Sequence, residues 1–181
     1  MFGKSVPGLH RPNHIYADDT YYFVTSSVLY RTHLLTPTTH KPYLKERLLT
    51  LAPDYSLKIE AWVILNNHYH MLFHLEKSSL LFRFFKHLHG QTSTDFNKWD
   101  HQPGRKFWYN YWDRCIRNEQ DYWRHFNYIH YNPIKHGYVK QLRDWPFSSL
   151  HSYLENKGSE WINDCWRSYP IKEFEINDDD F

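Results

Sequence analysis

The hydrophobic and polar residues alternate in a way that predicts four strands separated by helices. Runs rich in β-branched and aromatic residues favour strands. Such runs are Thr20–Val28, Leu57–Leu65, His68–Leu75 and Phe107–Ile116. Because no repeat, low-complexity stretch or long linker interrupts this order, we expect one α+β domain built on an antiparallel sheet.

Apolar residues at helical spacing predict helices between the strands. The first two helices are expected over about 41–51, ending before Pro53, and over about 78–96, with Ser78 or Ser79 as the N-cap. The residues predicted to face the core are Leu44, Leu48, Leu51, Leu81, Phe84, Phe85 and Leu88.

A third helix is predicted over about 119–131. Asn118 is a suitable N-cap, the following acids suit the positive end of the helix dipole, and Pro133 is expected to end the helix. Its apolar stripe is Tyr122, Phe126 and Ile129. Only a short helix near 148–154 and an irregular tail are expected after it.

The second and third strands are separated by Asn66 and Asn67, which is typical of a hairpin. Asparagine tolerates positive φ better than most residues do. The pair therefore predicts a two-residue primed turn, which suits the twist of the strands.

Two histidines on the third predicted strand form a candidate metal site. Side chains alternate along a strand, so His68 and His70 project from the same face and can approach one cation. With 14 His in the chain, such a triplet also arises by chance, and His87 and His89 form a second one. That pair lies on a predicted helix, where the two side chains point apart. A pair of solvated or core histidines remains the alternative for His68 and His70.

Tyr128 is a candidate nucleophile. Arg124 and Asn132 lie one helical turn to either side of it, so the three side chains share one face of the third helix. A phenol that attacks phosphorus forms a phosphotyrosine, which keeps the energy of the broken bond for rejoining. With 15 Tyr in the chain, a packed core aromatic remains the alternative.

Composition narrows the function only slightly. Aromatic residues make up 19% of the chain, which suits stacking on bases as well as core packing. A net charge of +2 permits a nucleic-acid partner without predicting one, and the acidic end Asp178–Asp180 offsets a more basic body. Two cysteines cannot build a disulfide framework or a four-cysteine zinc site. No run is long enough to cross a bilayer and Met1–Gly8 has no signal-peptide pattern, so we expect a cytoplasmic protein.

Two segments resemble a known family. The string Asn66-Asn67-His68-Tyr69-His70-Met71-Leu72-Phe73 is similar to the signature of HUH endonucleases, in which a bulky residue separates two metal-binding histidines. The stretch 122–139, followed by 144–149, resembles the REP-associated tyrosine transposases. With Tyr22-Phe23-Val24-Thr25, the resemblance covers about residues 15–153 of a single transposase domain 1–181, which leaves 154–181 as a C-terminal extension.

The resemblance implies a ferredoxin-like, RNA-recognition-like sheet with flanking helices. It makes Tyr128 the nucleophile and His68 and His70 ligands of Mg²⁺ or Mn²⁺. The third ligand would be Asn132, where many wider relatives carry the longer Gln. The implied substrate is a single-stranded DNA hairpin of the repetitive extragenic palindrome type, cut and rejoined through a 5′-phosphotyrosine.

Further expectations concern the partners. Side chains expected to contact DNA are Arg31, Lys106, Trp108, Trp112, Arg114, Arg124, Lys135 and Lys140, with Trp62 as another ring for stacking. We expect no membrane or small-molecule partner, a nucleoid-associated location, and action as a monomer or homodimer. The alternatives are a hairpin-binding module that has lost cutting, and a nuclease that uses the metal to activate water.

Overall fold

The four predicted strands form one sheet in which every neighbouring pair is antiparallel. The structure is a computed structural model that describes residues 17–171. The strands are β1 (Thr20–Val28), β2 (Leu57–Ile64), β3 (His68–Leu75) and β4 (Trp108–Cys115). Their order across the sheet is β2-β3-β1-β4. The two central strands, β1 and β3, are therefore paired with a neighbouring strand along both edges.

The helices are α1 (His40–Leu51), α2 (Ser79–Trp99), α3 (Glu119–Lys135) and α4 (Leu150–Ser168). Up to β4 the element order is βαββαβ, and α3 and α4 follow the last strand. This order and the strand arrangement confirm the predicted α+β, ferredoxin-like class. The predicted core faces of α1 and α2 are also confirmed, since all seven of their named residues are buried.

Each face of the sheet has its own apolar core. Tyr22 and Val24 of β1 pack on the face that α1 and α2 cover. Phe23, between them, joins Leu72, Phe126 and the phenol ring of Tyr128 on the opposite face, against α3. The strict alternation along β1 thus assigns the candidate nucleophile to the α3 face of the sheet.

The predicted end of α3 is wrong, because the helix continues through Pro133 to Lys135. Proline removes one N–H, yet the last turn is closed by bonds from later residues, such as the N–H of His136 to the carbonyl of Asn132. Gly137 follows with φ of 69°, as a glycine that ends a helix commonly does. The extra turn carries Lys135 towards Tyr128.

The helix that follows Ser149 is longer than predicted. In place of a short helix and an irregular tail, α4 runs to Ser168, with a kink at Gly158, where φ is 84°. Tyr153 and Trp161 pack on the core that contains Phe126, and the amide of Asn127 donates 3.0 Å to the carbonyl of Cys165. These long-range contacts stabilise a helix in a segment whose polar sequence and glycine did not predict one.

Two local predictions are wrong in their geometry. Asn66 and Asn67 connect β2 to β3 as predicted, but neither has positive φ, so the turn is not of the primed type. Their carbonyls instead accept hydrogen bonds from the backbone N–H groups of Leu35 and Val28, 2.9 and 2.8 Å away.

Ser78 precedes α2 but its side chain does not cap the helix. Its hydroxyl instead donates a hydrogen bond of 2.6 Å to the Asp18 carboxylate.

Some sequence features fall outside the described range. The N-terminal segment Met1–Gly8 and the acidic end Asp178–Asp180 lie beyond residues 17–171. Among the helices in that range, none combines the length and hydropathy that a membrane-spanning helix requires.

Candidate active site

The two histidines of β3 lie on one face of the sheet, as their spacing predicts. Their ring centroids are 4.9 Å apart and the ring planes are nearly perpendicular, at 82°. His70 is fully buried and His68 is 8% exposed. The second pair diverges as expected, since His87 contacts the hydroxyl of Tyr55 while His89 packs against Trp108.

Each histidine ring is held through its Nδ1 atom. The hydroxyl of Thr25, directly opposite on β1, is 2.8 Å from His70 Nδ1. The side-chain oxygen of Asn67 is 2.7 Å from His68 Nδ1, and because this oxygen is an acceptor, Nδ1 carries the proton. These contacts leave the two buried Nε2 atoms as the nitrogens suited to coordinate a cation.

Tyr128 of α3 packs beside this pair. Its ring centroid is 5.5 Å from that of His70, in an edge-on arrangement, and 6.1 Å from that of Phe23. The side chain is only 3% exposed. The phenol and the imidazoles therefore meet on one side of the molecule, as a shared site requires.

Asn132 follows Tyr128 by one turn and is fully buried. Its amide nitrogen donates 3.2 Å to the Tyr128 carbonyl, which fixes the side chain. Its side-chain oxygen is buried and accepts no hydrogen bond from any residue in the described range. A buried amide oxygen in this state is costly, and a cation would satisfy it.

The chemical types of these donor atoms suit a divalent cation. Two imidazole nitrogens and one amide oxygen are acceptable to Mn²⁺, while Mg²⁺ prefers oxygen ligands more strongly. Across residues 17–171, no group of three or more His, Cys, Asp or Glu side chains could hold a metal. A third side-chain ligand beside His68 and His70 would therefore be of another residue type, and Asn132 is the candidate that the sequence predicts.

Lys135 contacts the side chain of Tyr128. Its ammonium donates 3.0 Å to the Tyr128 hydroxyl and lies 4.9 Å from the centroid of the phenol ring. The sequence predicted this lysine as a contact to DNA phosphates, whereas the structure places it on the phenol. His136, the next residue, brings its ring centroid to 5.0 Å from that of His68.

Some of the predicted DNA contacts lie near this site. Trp112, half-buried on β4, is directly opposite Thr25, and Arg114 is opposite Phe23. The guanidinium of Arg114 is 3.6 Å from the Asp121 carboxylate, at the start of α3. Arg124, also half-buried, is one turn before Tyr128 on the same helix.

Other predicted contacts lie elsewhere. Trp108 is a core residue, 5% exposed, whose indole N–H donates 2.9 Å to Thr92, so no face of the ring is open to a base. Trp62 is likewise 7% exposed, within the sheet. These two placements correct the sequence prediction, because an aromatic run on a strand does not say which rings face the core. The remaining predicted cationic contacts, Arg31, Lys106 and Lys140, are exposed.

Three neighbours of the site were not predicted from the sequence. Thr25 and Asn67 orient the histidines, and His136 packs on His68. Thr25 and Asn67 both fall within the strings that carry the family resemblance, but only the cross-strand register reveals their contacts. The position of His136 depends on the unexpected last turn of α3.

The buried His130 of α3 holds the helix to the edge of the sheet. His130 is 1% exposed, and its Nε2 lies 2.8 Å from the hydroxyl of Ser149. That hydroxyl also accepts a hydrogen bond from the backbone N–H of Trp62 on β2, 2.9 Å away. Burial lowers the pKa of His130 to about 3, so the ring is neutral in the folded protein.

Acid is therefore expected to destabilise the fold well above the pKa of His130 itself. Below about pH 6.5 the unfolded chain binds a proton at His130. The folded chain binds this proton only when the pH falls to about 3. The contribution of neutral His130 to the free energy of unfolding is complete above pH 6.5 and is smaller by about 2 kcal/mol at pH 5. Urea unfolding at pH 7.5 and pH 5 measures it, and His130→Gln is expected to reduce the difference. An equal difference in that variant would contradict the assignment.

Comparisons with known proteins agree with the fold and identify the family. The family model for transposases described as IS200-like matches residues 16–131. A REP-associated tyrosine transposase of Escherichia coli (strain K12) is 35% identical over 136 residues, which cover 73% of this chain and 76% of that protein. A solved structure of a REP-associated tyrosine transposase bound to a REP hairpin has a TM-score of 0.64 and 30% identity, covering 82% of this chain and 87% of that one.

The antiparallel α+β fold and these matches place the chain in the class of DNA transposases. The chain belongs to the IS200-like transposase family. Its resemblance to the REP-associated tyrosine transposases, drawn from sequence motifs, is thereby confirmed.

Proposed function

We propose that this protein is a metal-dependent, single-tyrosine transposase of the HUH type that cuts and rejoins single-stranded DNA. The observation that carries the proposal is the packing of the Tyr128 ring 5.5 Å from that of His70, in a chain of a transposase family. A core tyrosine would not need this position beside a pair of histidines with buried Nε2 atoms.

In the proposed reaction, the Tyr128 oxygen attacks the phosphorus of one DNA linkage in line. The new Oη–P bond forms as the P–O3′ bond breaks, so the 5′ end stays on the protein. The phenol loses a proton and the departing oxygen gains one, to leave as a 3′-hydroxyl. A second 3′-hydroxyl later reverses the step and regenerates the phenol, so no nucleotide cofactor is consumed.

His68, His70 and Asn132 would hold the cation. Mg²⁺ or Mn²⁺ bound there would polarise the scissile phosphate and stabilise charge in the transition state. Thr25 and Asn67 keep the imidazoles oriented, and burial of the phenol between Phe23 and His70 fixes the direction of attack.

For the substrate we infer a DNA hairpin of the repetitive extragenic palindrome type. Support comes from the relative whose solved structure is bound to a REP hairpin. Beside the site, Trp112 and Arg114 of β4 offer a ring for a base and a cation for a phosphate. We infer a cytoplasmic, nucleoid-associated protein that acts as a monomer or homodimer.

Labelled DNA tests the proposal, because the mechanism decides which side of the cut stays bound to the protein. Two copies of one strand, with a REP-type hairpin and single-stranded flanks, carry a label either upstream or downstream of the cut. With Mn²⁺, the downstream label is expected on the protein in a denaturing gel. The upstream label is expected on a fragment that ends in a 3′-hydroxyl.

Other outcomes select the alternatives. Release of both labels as protein-independent fragments would identify a nuclease that activates water. A salt-sensitive gel shift without any cut would identify a hairpin-binding module. Either result would overturn the phosphotyrosine proposal.

A further inference from the structure

The contact between Lys135 and Tyr128 spans almost two turns of α3. Residues seven apart lie on nearly the same helix face, with their Cα atoms about 10 Å apart. The lysine side chain must therefore run back along the helix to bring its ammonium 3.0 Å from the phenol oxygen. Side chains on a helix lean towards its N-terminus, which makes this path a natural one.

The position of this cation differs from that of a lysine that follows DNA phosphates. The Tyr128 side chain is 3% exposed, and its ring contacts Phe23 and His70. Lys135 itself is exposed, but its ammonium lies over the face of the phenol ring as well as at its hydroxyl. It thus reaches the reacting atom from the solvent side, where a DNA strand must approach.

We propose that Lys135 is a second catalytic residue, which holds the Tyr128 oxygen for attack and then contacts the phosphoryl oxygens. The inference rests on the function proposed above. When the Oη–P bond forms and the P–O3′ bond breaks, negative charge builds on the non-bridging oxygens of that phosphorus, next to the Tyr128 oxygen that Lys135 already contacts. The ammonium keeps its proton throughout, because the proton lost by the phenol is balanced by the one gained by O3′.

A phosphate-tracking lysine would behave differently. Removing such a contact weakens affinity for every sequence and reduces the dependence of binding on salt, while bound DNA is cut at the normal rate. Removing a charge that acts on the transition state slows the cut of bound DNA and leaves affinity almost unchanged. Rate at saturation and affinity therefore separate the two roles.

The experiment measures single-turnover formation of the covalent product with protein in excess over labelled hairpin, alongside the dissociation constant. For Lys135→Met we expect a rate at saturation lower by about 10²-fold, similar to the loss of one oxyanion-hole donor. Affinity should stay within about threefold. Lys135→Arg should recover most of the rate because it restores a cation. Lys157→Met, the same charge change at an exposed position of α4, should match the parent protein.

Two results would overturn the inference. A normal rate at saturation with weaker, less salt-dependent binding would make Lys135 a contact to the DNA backbone. A slow rate that Lys135→Arg does not improve, together with a lower melting temperature, would make the contact structural. Both results presuppose that the parent protein forms the covalent product. Absence of that product in the parent protein marks failure of the proposed function instead.

Discussion

Tyr128→Phe is expected to abolish the covalent protein–DNA product and to lower strand cutting by about 10⁴-fold or more, as loss of a nucleophile does. The substitution removes only the hydroxyl. The ring that packs at 5.5 Å from His70 and 6.1 Å from Phe23 is retained, so the fold should remain intact. The measurement is the protein-bound label after denaturation, together with hairpin affinity, which should stay within a few-fold.

Tyr131→Phe is the matched control. Tyr131 is on the same helix, is half-buried, and packs its ring 5.8 Å from that of Trp166, away from the histidines. It should form the covalent product at the parent rate. A normal yield of product in Tyr128→Phe, or its loss in Tyr131→Phe alone, would mean that another hydroxyl is the nucleophile.

The sheet could be predicted because its strands carry strong local signals. Thr20–Val28 and His68–Leu75 are observed with their predicted bounds, since β-branched and aromatic runs there are bounded by polar residues. The leucine spacing of α1 likewise gave its core face. The order β2-β3-β1-β4 depends on contacts between residues far apart in sequence, and the family resemblance predicted only its ferredoxin-like class.

Elements stabilised by tertiary packing could not be predicted in the same way. In α4, Glu155, Lys157 and Gly158 read as a polar tail, but Tyr153 and Trp161 bury their rings against α3. In α3, Pro133 suggested an end that the hydrogen bonds of the following residues override. In both cases tertiary packing overrides the local helix propensity of the sequence.

For the site, the sequence supplied the residue types and the structure supplied their contacts. The spacing of His68 and His70 on a strand is enough to place both on one face. That Thr25 orients His70 follows from the pairing of β1 with β3, which no local pattern encodes. The burial of Trp108 and the contact of Lys135 with Tyr128 are likewise properties of the packed molecule.

His68→Ala and His70→Ala are each expected to slow formation of the covalent product by about 10³-fold, because a bound cation supplies several kcal/mol of transition-state stabilisation. Hairpin affinity should change little. Removing divalent ions with EDTA should slow the parent protein to a similar rate. Restoring Mn²⁺ should recover the parent protein more fully than Mg²⁺, since two of the three proposed ligands are imidazoles.

His74→Ala is the control for this pair. His74 lies on the same strand and the same face, but its ring pairs with Asp19 at 3.1 Å, roughly 13 Å along β3 from His70. It should cut at the parent rate. Because His70 is fully buried, His70→Asn provides a second variant that keeps a polar partner for Thr25. Loss of hairpin affinity in step with cutting, or cutting that persists in EDTA, would show that the histidines hold the fold or the DNA and not a cation.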